Sequence, residues 1–305
     1  MNDLTTDVKN LELETIKNLK NSKSNNTLRA YQSDFRDFSL FCTKNGFQAI
    51  PTQPNIIALY ITHLSAYSKY STLKRRIASI SIIHKSKGHY IDIKHPIIIE
   101  NLMGIKRTIG SHQKGKKPLL INDLKALINA MDESQEKDLR KIRDKALILI
   151  GFSGGFRRSE LVNLEIEDVE FVTEGAKIFI KRSKTDQSGE GMIKAIPYFE
   201  NRNFCPVKAL KNWIDLIEPK KGKIFKISDK NVALIIKKYA NYAGLESYRY
   251  AGHSLRSGFA TSAAESGAEE RSIMAMTGHK STEMVRRYIK EANLFKNNAL
   301  NKIKL

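Results

Sequence analysis

The sequence predicts a mainly α-helical protein with a small antiparallel β-sheet in its C-terminal domain and an all-helical N-terminal domain. Three observations carry this. Apolar residues recur at spacings of three and four from Leu28 onward. Two runs, Ala176–Arg182 and Met192–Phe199, are rich in Ile, Val and Phe and flank a polar turn with Gly189 and Gly191, the pattern of a β-hairpin. Between the two helical stretches lies Gly110-Ser-His-Gln-Lys-Gly115-Lys-Lys-Pro118, with no apolar period and the composition of a linker.

Taken in order, residues 1–23 form an N-terminal extension with a weak helical pattern of Leu11, Leu13, Ile16 and Leu19. Asn25 or Asn26 is placed to cap a helix carrying Leu28, Tyr31, Phe35, Phe38 and Phe41 on its core side. Pro51 and Pro54 break the chain before a helix over Ile56–Leu64. A further helix starts at Ser71 and puts Ile77, Ile80, Ile83 and His84 on one side. Lys74, Arg75 and Arg76 fall in its first turns, where the helix dipole disfavours cations, so an external anion is expected beside them. Ile97–Arg107 follows Pro96 as a short helix. The helical domain is therefore set at 24–107, the basic linker at 108–118, the second domain at 119–290 and a tail at 291–305. In the second domain, helices are expected over Leu119–Met131, Leu139–Phe152, Ser159–Leu164, Pro206–Ile217, Asp229–Ala243, Leu255–Ser266, Glu269–Thr277 and Thr282–Lys290.

At 305 residues, with 41% hydrophobic and 28% charged, the chain can build two globular cores. Its balance of 52 Lys+Arg against 32 Asp+Glu gives +20, which favours a polyanionic partner. From Lys69 to Lys117 there are 12 basic and 2 acidic residues, so half of the excess lies in one stripe. Cys42 and Cys205 lie far apart, which supports neither a disulfide framework nor a zinc site. The acidic, polar N-terminus is unlike a secretory signal, and the longest apolar run, Ala146–Phe152, is too short to span a bilayer. A cytoplasmic, nucleoid-associated protein that binds no membrane is expected.

The residues that carry chemistry are few. Arg157 follows a Gly-Gly turn, and Glu160, three positions on, can pair with it and fix its orientation. The neighbouring Arg158 is expected to point elsewhere. His253 and Arg256 lie at i and i+3 on one face of a helix that begins there. His279 follows a glycine break, and Tyr288 lies on a short helix nine residues later. Arg182-Ser-Lys184-Thr-Asp186 adds a lysine at the hairpin turn. Each piece alone is weak, since His-x-x-Arg is common and most tyrosines simply pack. Together they supply cations for a phosphodiester, groups to move its protons and an oxygen nucleophile, without a metal or nucleotide motif.

These residues resemble the signature of the tyrosine recombinases, the phage integrase family. The resemblance is close over about residues 119–290 and looser over 24–107, and the length is similar to that of Xer recombinases. It implies a helical core-binding (SAM-like) domain at 24–107 and a tyrosine-recombinase catalytic domain at 119–290. It implies that Tyr288 attacks the scissile phosphate to form a 3′-phosphotyrosine, freeing a 5′-hydroxyl. Arg157 and Arg256 would hold the non-bridging oxygens, and Lys184, preferred over Lys181 and Lys194, would protonate the leaving oxygen. His253 would assist proton transfer, and His279 would donate to the phosphate. The implied partners are double-stranded DNA carrying a core recombination site and three further copies of the chain, four protomers acting on two duplexes, with a monomer possible off DNA. No cofactor is expected, because the phosphotyrosine stores the bond energy. The tail, Ala292–Ile303, is expected to dock on a neighbouring protomer. Lys74, Arg75, Arg76, Lys106, Arg107, Lys116 and Lys117 are candidates for DNA-backbone contacts. The alternatives are a DNA-binding protein with a silent active site and a type IB topoisomerase-like enzyme.

Overall fold

The computed structural model describes residues 8–111, 115–181, 183, 186, 189–218, 220–293, 295 and 299–303. Lys184, the N-terminal residues 1–7, linker residues 112–114 and part of the tail lie outside the described residues. The chain divides into two compact units, Met1–Lys114 and Gly115–Leu305. As the sequence predicts, it is mainly helical with one small antiparallel sheet. Among the described residues, no helix is long and apolar enough to cross a membrane.

The first unit contains α1 (Val8–Asn21), α2 (Asn25–Lys44), α3 (Pro54–Ser65), α4 (Tyr70–Ser86) and α5 (Pro96–Ile109). The cap of α2 is Ser24 rather than either asparagine, because its hydroxyl accepts from the Thr27 N–H three residues on. Pro54 and Pro96 open α3 and α5 at positions where a missing N–H costs nothing. Phe38, Ile57, Tyr60, Ile61, Leu64, Leu73, Ile77 and Ile80 form the core, with Ile98, Leu102 and Ile105 of α5 packed beside them. Cys42 lies within it, and burial pushes its thiol up to about 11, so it behaves as a small hydrophobe.

Two acids of α2 answer the basic start of α4. Asp34 pairs with Arg75 and accepts from the Ser79 hydroxyl at 2.8 Å. Asp37 pairs with Arg76 and accepts from the Tyr60 hydroxyl at 2.6 Å. The external anion expected beside Arg75 and Arg76 is thus replaced by carboxylates of the same unit. Spacing along α4 could not reveal them, because they lie some forty residues earlier. His84 is fully buried, bonded through Nδ1 to the Ile80 carbonyl at 2.8 Å, and its Nε2 accepts from the Thr52 N–H at 3.2 Å. It therefore braces the loop between α2 and α3.

The second unit contains α6 (Ile121–Glu133), α7 (Asp138–Ser153), α8 (Arg158–Val162), β1 (Val169–Val172), β2 (Gly175–Ile180), β3 (Met192–Pro197), α9 (Pro206–Ile217), α10 (Asp229–Tyr242), α11 (His253–Glu265), α12 (Glu270–Thr277) and α13 (Thr282–Ala292). The apolar run Ala146–Phe152 is buried on every side of α7, which makes that helix the axis of the core. The hairpin β2–β3 gains a third strand, β1, that the sequence reading did not contain, since four residues are too few to show alternation. The register sets Ile178 against Lys194 and Ala176 against Ile196, so Lys194 and Ile196 share the inward face of β3.

The end of the basic linker is held to this unit. Lys117 N–H donates to the Arg249 carbonyl at 2.8 Å and Leu119 N–H to the Ser254 carbonyl at 2.9 Å. Gly258 makes room for this crossing, since a Cβ there would lie 2.0 Å from the Leu119 carbonyl oxygen.

One measurement checks the ionic pairing of α2 with α4. Asp34→Ala leaves the Ser79 hydroxyl and the Arg75 guanidinium without their carboxylate. It is expected to destabilise the first unit by about 3 kcal/mol, read as faster hydrogen exchange at α4 amides.

Candidate active site

The site is built where α7 ends, α11 begins and the α12–α13 turn returns. Gly154 stops α7, and the buried Phe156 anchors the turn that delivers Arg157 as the cap residue of α8. Glu160, one turn into α8, accepts from the Arg157 backbone N–H at 2.9 Å and from its Nη1 at 2.6 Å. The pair foreseen from their spacing is present. Arg157 Nη2 also donates to the Gly278 carbonyl at 3.3 Å, which ties it to the α12–α13 turn. Arg158 does not point clear of this region, for its stem lies across Gly252 at the start of α11.

His253 and Arg256 enter from the first turn of α11, which begins at His253. Arg256 is 1% exposed and donates through Nη1 to the Gly155 carbonyl at 2.8 Å. Its Nη2 is buried with no partner among the described residues. Gly278, left-handed at φ 62°, caps α12 and turns the chain so that His279 follows immediately. His279 Nδ1 lies 2.8 Å from the Thr277 hydroxyl. Tyr288 comes from α13 and is 8% exposed, held against Ala260, Ala264, Ile273 and Val285. Its hydroxyl lies 3.4 Å from His253 Nε2, and its ring centroid 6.2 Å from that of His279.

Lys194, which the sequence reading ranked behind Lys184, lies at this site. Its side chain is 1% exposed, and Nζ donates to the Gly154 carbonyl at 2.6 Å and to the Met276 carbonyl. It thereby joins the turn before Arg157 to the turn before His279. The signal was in the sequence: Lys194 alternates in phase with Ile196, which places it on the buried face. Lys181 faces elsewhere, paired with Glu165 and with Asp168 at 2.9 Å. Lys184 lies outside the described residues.

The electrostatics are one-sided. Burial, opposed by Glu160 and reinforced by Arg256 and Arg157, brings the Lys194 ammonium down to about 7. Burial and Arg157 bring Arg256 down to about 10. Burial, then Arg256, Arg157, His253 and Lys194, bring His279 down to about 4. His253 is lowered by loss of water and by Arg256, Arg157 and Arg158. Burial raises the Tyr288 hydroxyl, while Arg256 and Arg287 pull it back. Lys194, Arg256, His253 and His279 are each less willing to be charged, the response to burial and to crowded cations. An anion placed among them relieves that repulsion.

The backbone-contact candidates are divided between the two units. Lys74 and Arg107 are exposed on α4 and α5, and Lys106 lies 5.9 Å from the Tyr70 ring centroid. Arg75 and Arg76 pair with α2 as described, though the Arg75 side chain stays 46% exposed. In the second unit, Lys116 donates to the Tyr248 carbonyl at 2.7 Å. Lys117 lies 3.0 Å from both the Tyr250 hydroxyl and Asp123, contacts that raise its pKa.

Comparison with known proteins bears on the family and the fold. The phage integrase family model matches residues 117–294. The chain is 42% identical to the integrase/recombinase xerD homolog of Selenomonas ruminantium, over 96% of this chain and 89% of that protein. It is 26% identical to the tyrosine recombinase XerA of Pyrococcus horikoshii, over 82% of this chain and 88% of that protein. The fold matches the XerH site-specific recombinase bound to palindromic difH substrate with a TM-score of 0.62 and 19% identity, over 81% of this chain and 73% of that one. It matches a lambda integrase tetramer bound to a Holliday junction with a TM-score of 0.58 and 15% identity, over 92% and 75%. A family model over more than half the chain and a 42% identical relative spanning nearly all of it lead to one conclusion: this chain belongs to the phage integrase family and is a tyrosine recombinase.

Proposed function

We propose that the protein cleaves and rejoins duplex DNA at a specific core site through a 3′-phosphotyrosyl intermediate on Tyr288. The observation that carries this reading is the buried Arg256, whose Nη2 lacks a partner among the described residues while its neighbours Arg157, Lys194, His253 and His279 crowd the same space. Arg256 Nη2 and the outer face of Arg157 take the non-bridging oxygens of the scissile phosphate, where charge builds during attack. Tyr288 Oη forms the new bond to phosphorus, and its proton passes to His253 Nε2, whose lowered pKa favours the neutral form that can accept it. The 3.4 Å separation shortens when the phosphate draws the tyrosine forward. The phosphorus–O5′ bond breaks as Lys184 delivers a proton, leaving a 5′-hydroxyl. His279 hydrogen-bonds the phosphate, and Glu160 holds Arg157 in place. Rejoining reverses these steps with a 5′-hydroxyl from another strand.

In this reading residues 24–107 form the core-binding domain and 119–290 the catalytic domain, joined by the basic linker at 108–118. Four copies act on two duplexes, as in the lambda integrase tetramer bound to a Holliday junction, and the tail after Glu291 docks between copies. The fields of Lys74, Lys106 and Arg107 follow the DNA backbone, with the exposed part of Arg75 beside them. Work in a cytoplasmic, nucleoid-associated setting follows from a DNA substrate.

The test is covalent trapping. Nicked duplex from the sequence flanking the gene is incubated with the protein in EDTA, and an adduct stable to SDS is sought. It is expected in the wild type and absent in Tyr288→Phe. Tight binding with no adduct sinks the proposal, and relaxation of supercoiled DNA with no site preference replaces it with a topoisomerase. Two further outcomes are expected. Lys74→Ala and Lys106→Ala each lower the slope of log K against log salt by about 0.9, whereas Arg76→Ala leaves that slope unchanged and lowers stability instead. Lys194 has a folded pKa of about 7 against 10.5 unfolded, so the unfolded chain binds the extra proton between those values and stability rises with pH across that window. Urea unfolding of the wild type at pH 7.5 and 9.5 is expected to show this gain, up to about 1.4 kcal/mol per pH unit. Lys194→Met is expected to lack it.

A further inference from the structure

Thr277 is the last residue of α12 and is fully buried. Its Oγ1 lies 2.6 Å from the Ile273 carbonyl oxygen, four residues back, and 2.8 Å from His279 Nδ1. A threonine hydroxyl has one hydrogen to give and two lone pairs to offer. A carbonyl oxygen can only accept, and two oxygens at 2.6 Å with no hydrogen between them would set lone pair against lone pair. The hydroxyl therefore donates to Ile273, the usual back-bond of a helical threonine. Only its lone pairs then face the imidazole, so Nδ1 must carry the N–H. A neutral imidazole has one N–H, which leaves Nε2 bare.

We propose that Thr277 is a positioning residue whose hydroxyl locks neutral His279 in the Nδ1–H tautomer, so that Nε2 donates to the DNA phosphate only as an imidazolium. The second half rests on the placement of His279 against the phosphate given above; the first half does not. The groups facing His279 from the packed elements are Arg157 at the start of α8, Lys194 of β3, His253 and Arg256 of α11, and Tyr288 of α13. All but the tyrosine are bases, and with burial they keep His279 neutral in the free protein. A bound phosphodiester offsets part of the local positive charge and favours the imidazolium. His279 thus becomes a donor when the substrate anion is in place, with Nδ1–H still held by Thr277 and the new proton on Nε2.

The experiment uses the full chain with 15N-labelled histidine, without DNA, near neutral pH, with the His279 signals assigned by their loss in His279→Gln. Long-range proton–nitrogen spectra are expected to show His279 protonated at Nδ1 in the wild type and in Thr277→Ser. Thr277→Val, of similar size but without the hydroxyl, is expected to shift the proton to Nε2 while the other six histidines stay as they were. A wild-type His279 protonated at Nε2, or a Thr277→Val spectrum identical to wild type, overturns the proposal. The pH profile of adduct formation gives the second readout. Wild type and Thr277→Ser are expected to lose rate as pH rises through the DNA-bound His279 pKa. In Thr277→Val that limb flattens, because neutral Nε2–H can donate. Identical limbs in all three proteins remove Thr277 from the reaction. Absence of any wild-type adduct counts against the proposed function, and the spectrum still decides the tautomer.

Discussion

The second unit depends on holding mutually repelling cations in one buried place. Arg157, Arg256 and Lys194 are each fixed by oxygens of the fold rather than by a full set of counter-charges. Arg157 takes the Glu160 carboxylate and the Gly278 carbonyl. Arg256 takes the Gly155 carbonyl, and Lys194 the carbonyls of Gly154 and Met276. These carbonyls are the ends of α7 and α12, where helix geometry leaves acceptors unpaired. The turns that terminate the helices thus supply the partial negative charge that the cations need, and the same turns set the positions of Arg157 and His279. Burial, together with the remaining repulsion, lowers the pKa values of Lys194, Arg256 and His279. Such a site is poised for an anion before one arrives, which is what electrostatic preorganisation requires.

The N-terminal unit handles the same kind of charge differently. Arg75 and Arg76 open α4 against its dipole, and full carboxylates from α2 neutralise them. Tyr60 joins Asp37 to Arg76 and packs its ring against Phe38, so the polar network is continuous with the core. A basic stripe in sequence is therefore two things in space. Part of it holds helices together, and part, including Lys74 and Arg107, faces solvent. Net charge along the chain cannot separate them, because the neutralising acids lie elsewhere in sequence.

Much of this protein was legible in its sequence. Apolar spacing located the principal helices, prolines marked the starts of α3 and α5, and the two β-branched runs became β2 and β3. The reason is that these signals are local: backbone hydrogen bonds and the burial of one face depend on near neighbours. Arg157, His253, Arg256, His279 and Tyr288 were recognisable by type and interval, and the Arg157–Glu160 pair followed from a three-residue spacing. Only the tertiary structure decided the rest. It paired Arg75 and Arg76 with α2, added the short β1, pinned Lys117 to the segment before α11 and Leu119 to its first turn, and brought Lys194 across from the sheet to two helix ends. Each of these is a contact between residues remote in sequence, chosen by packing and by the need to satisfy buried polar groups. The proton position on His279 is local in sequence, from Ile273 to His279, yet it too needed the structure, since it hangs on one hydroxyl whose only hydrogen is already taken by a carbonyl.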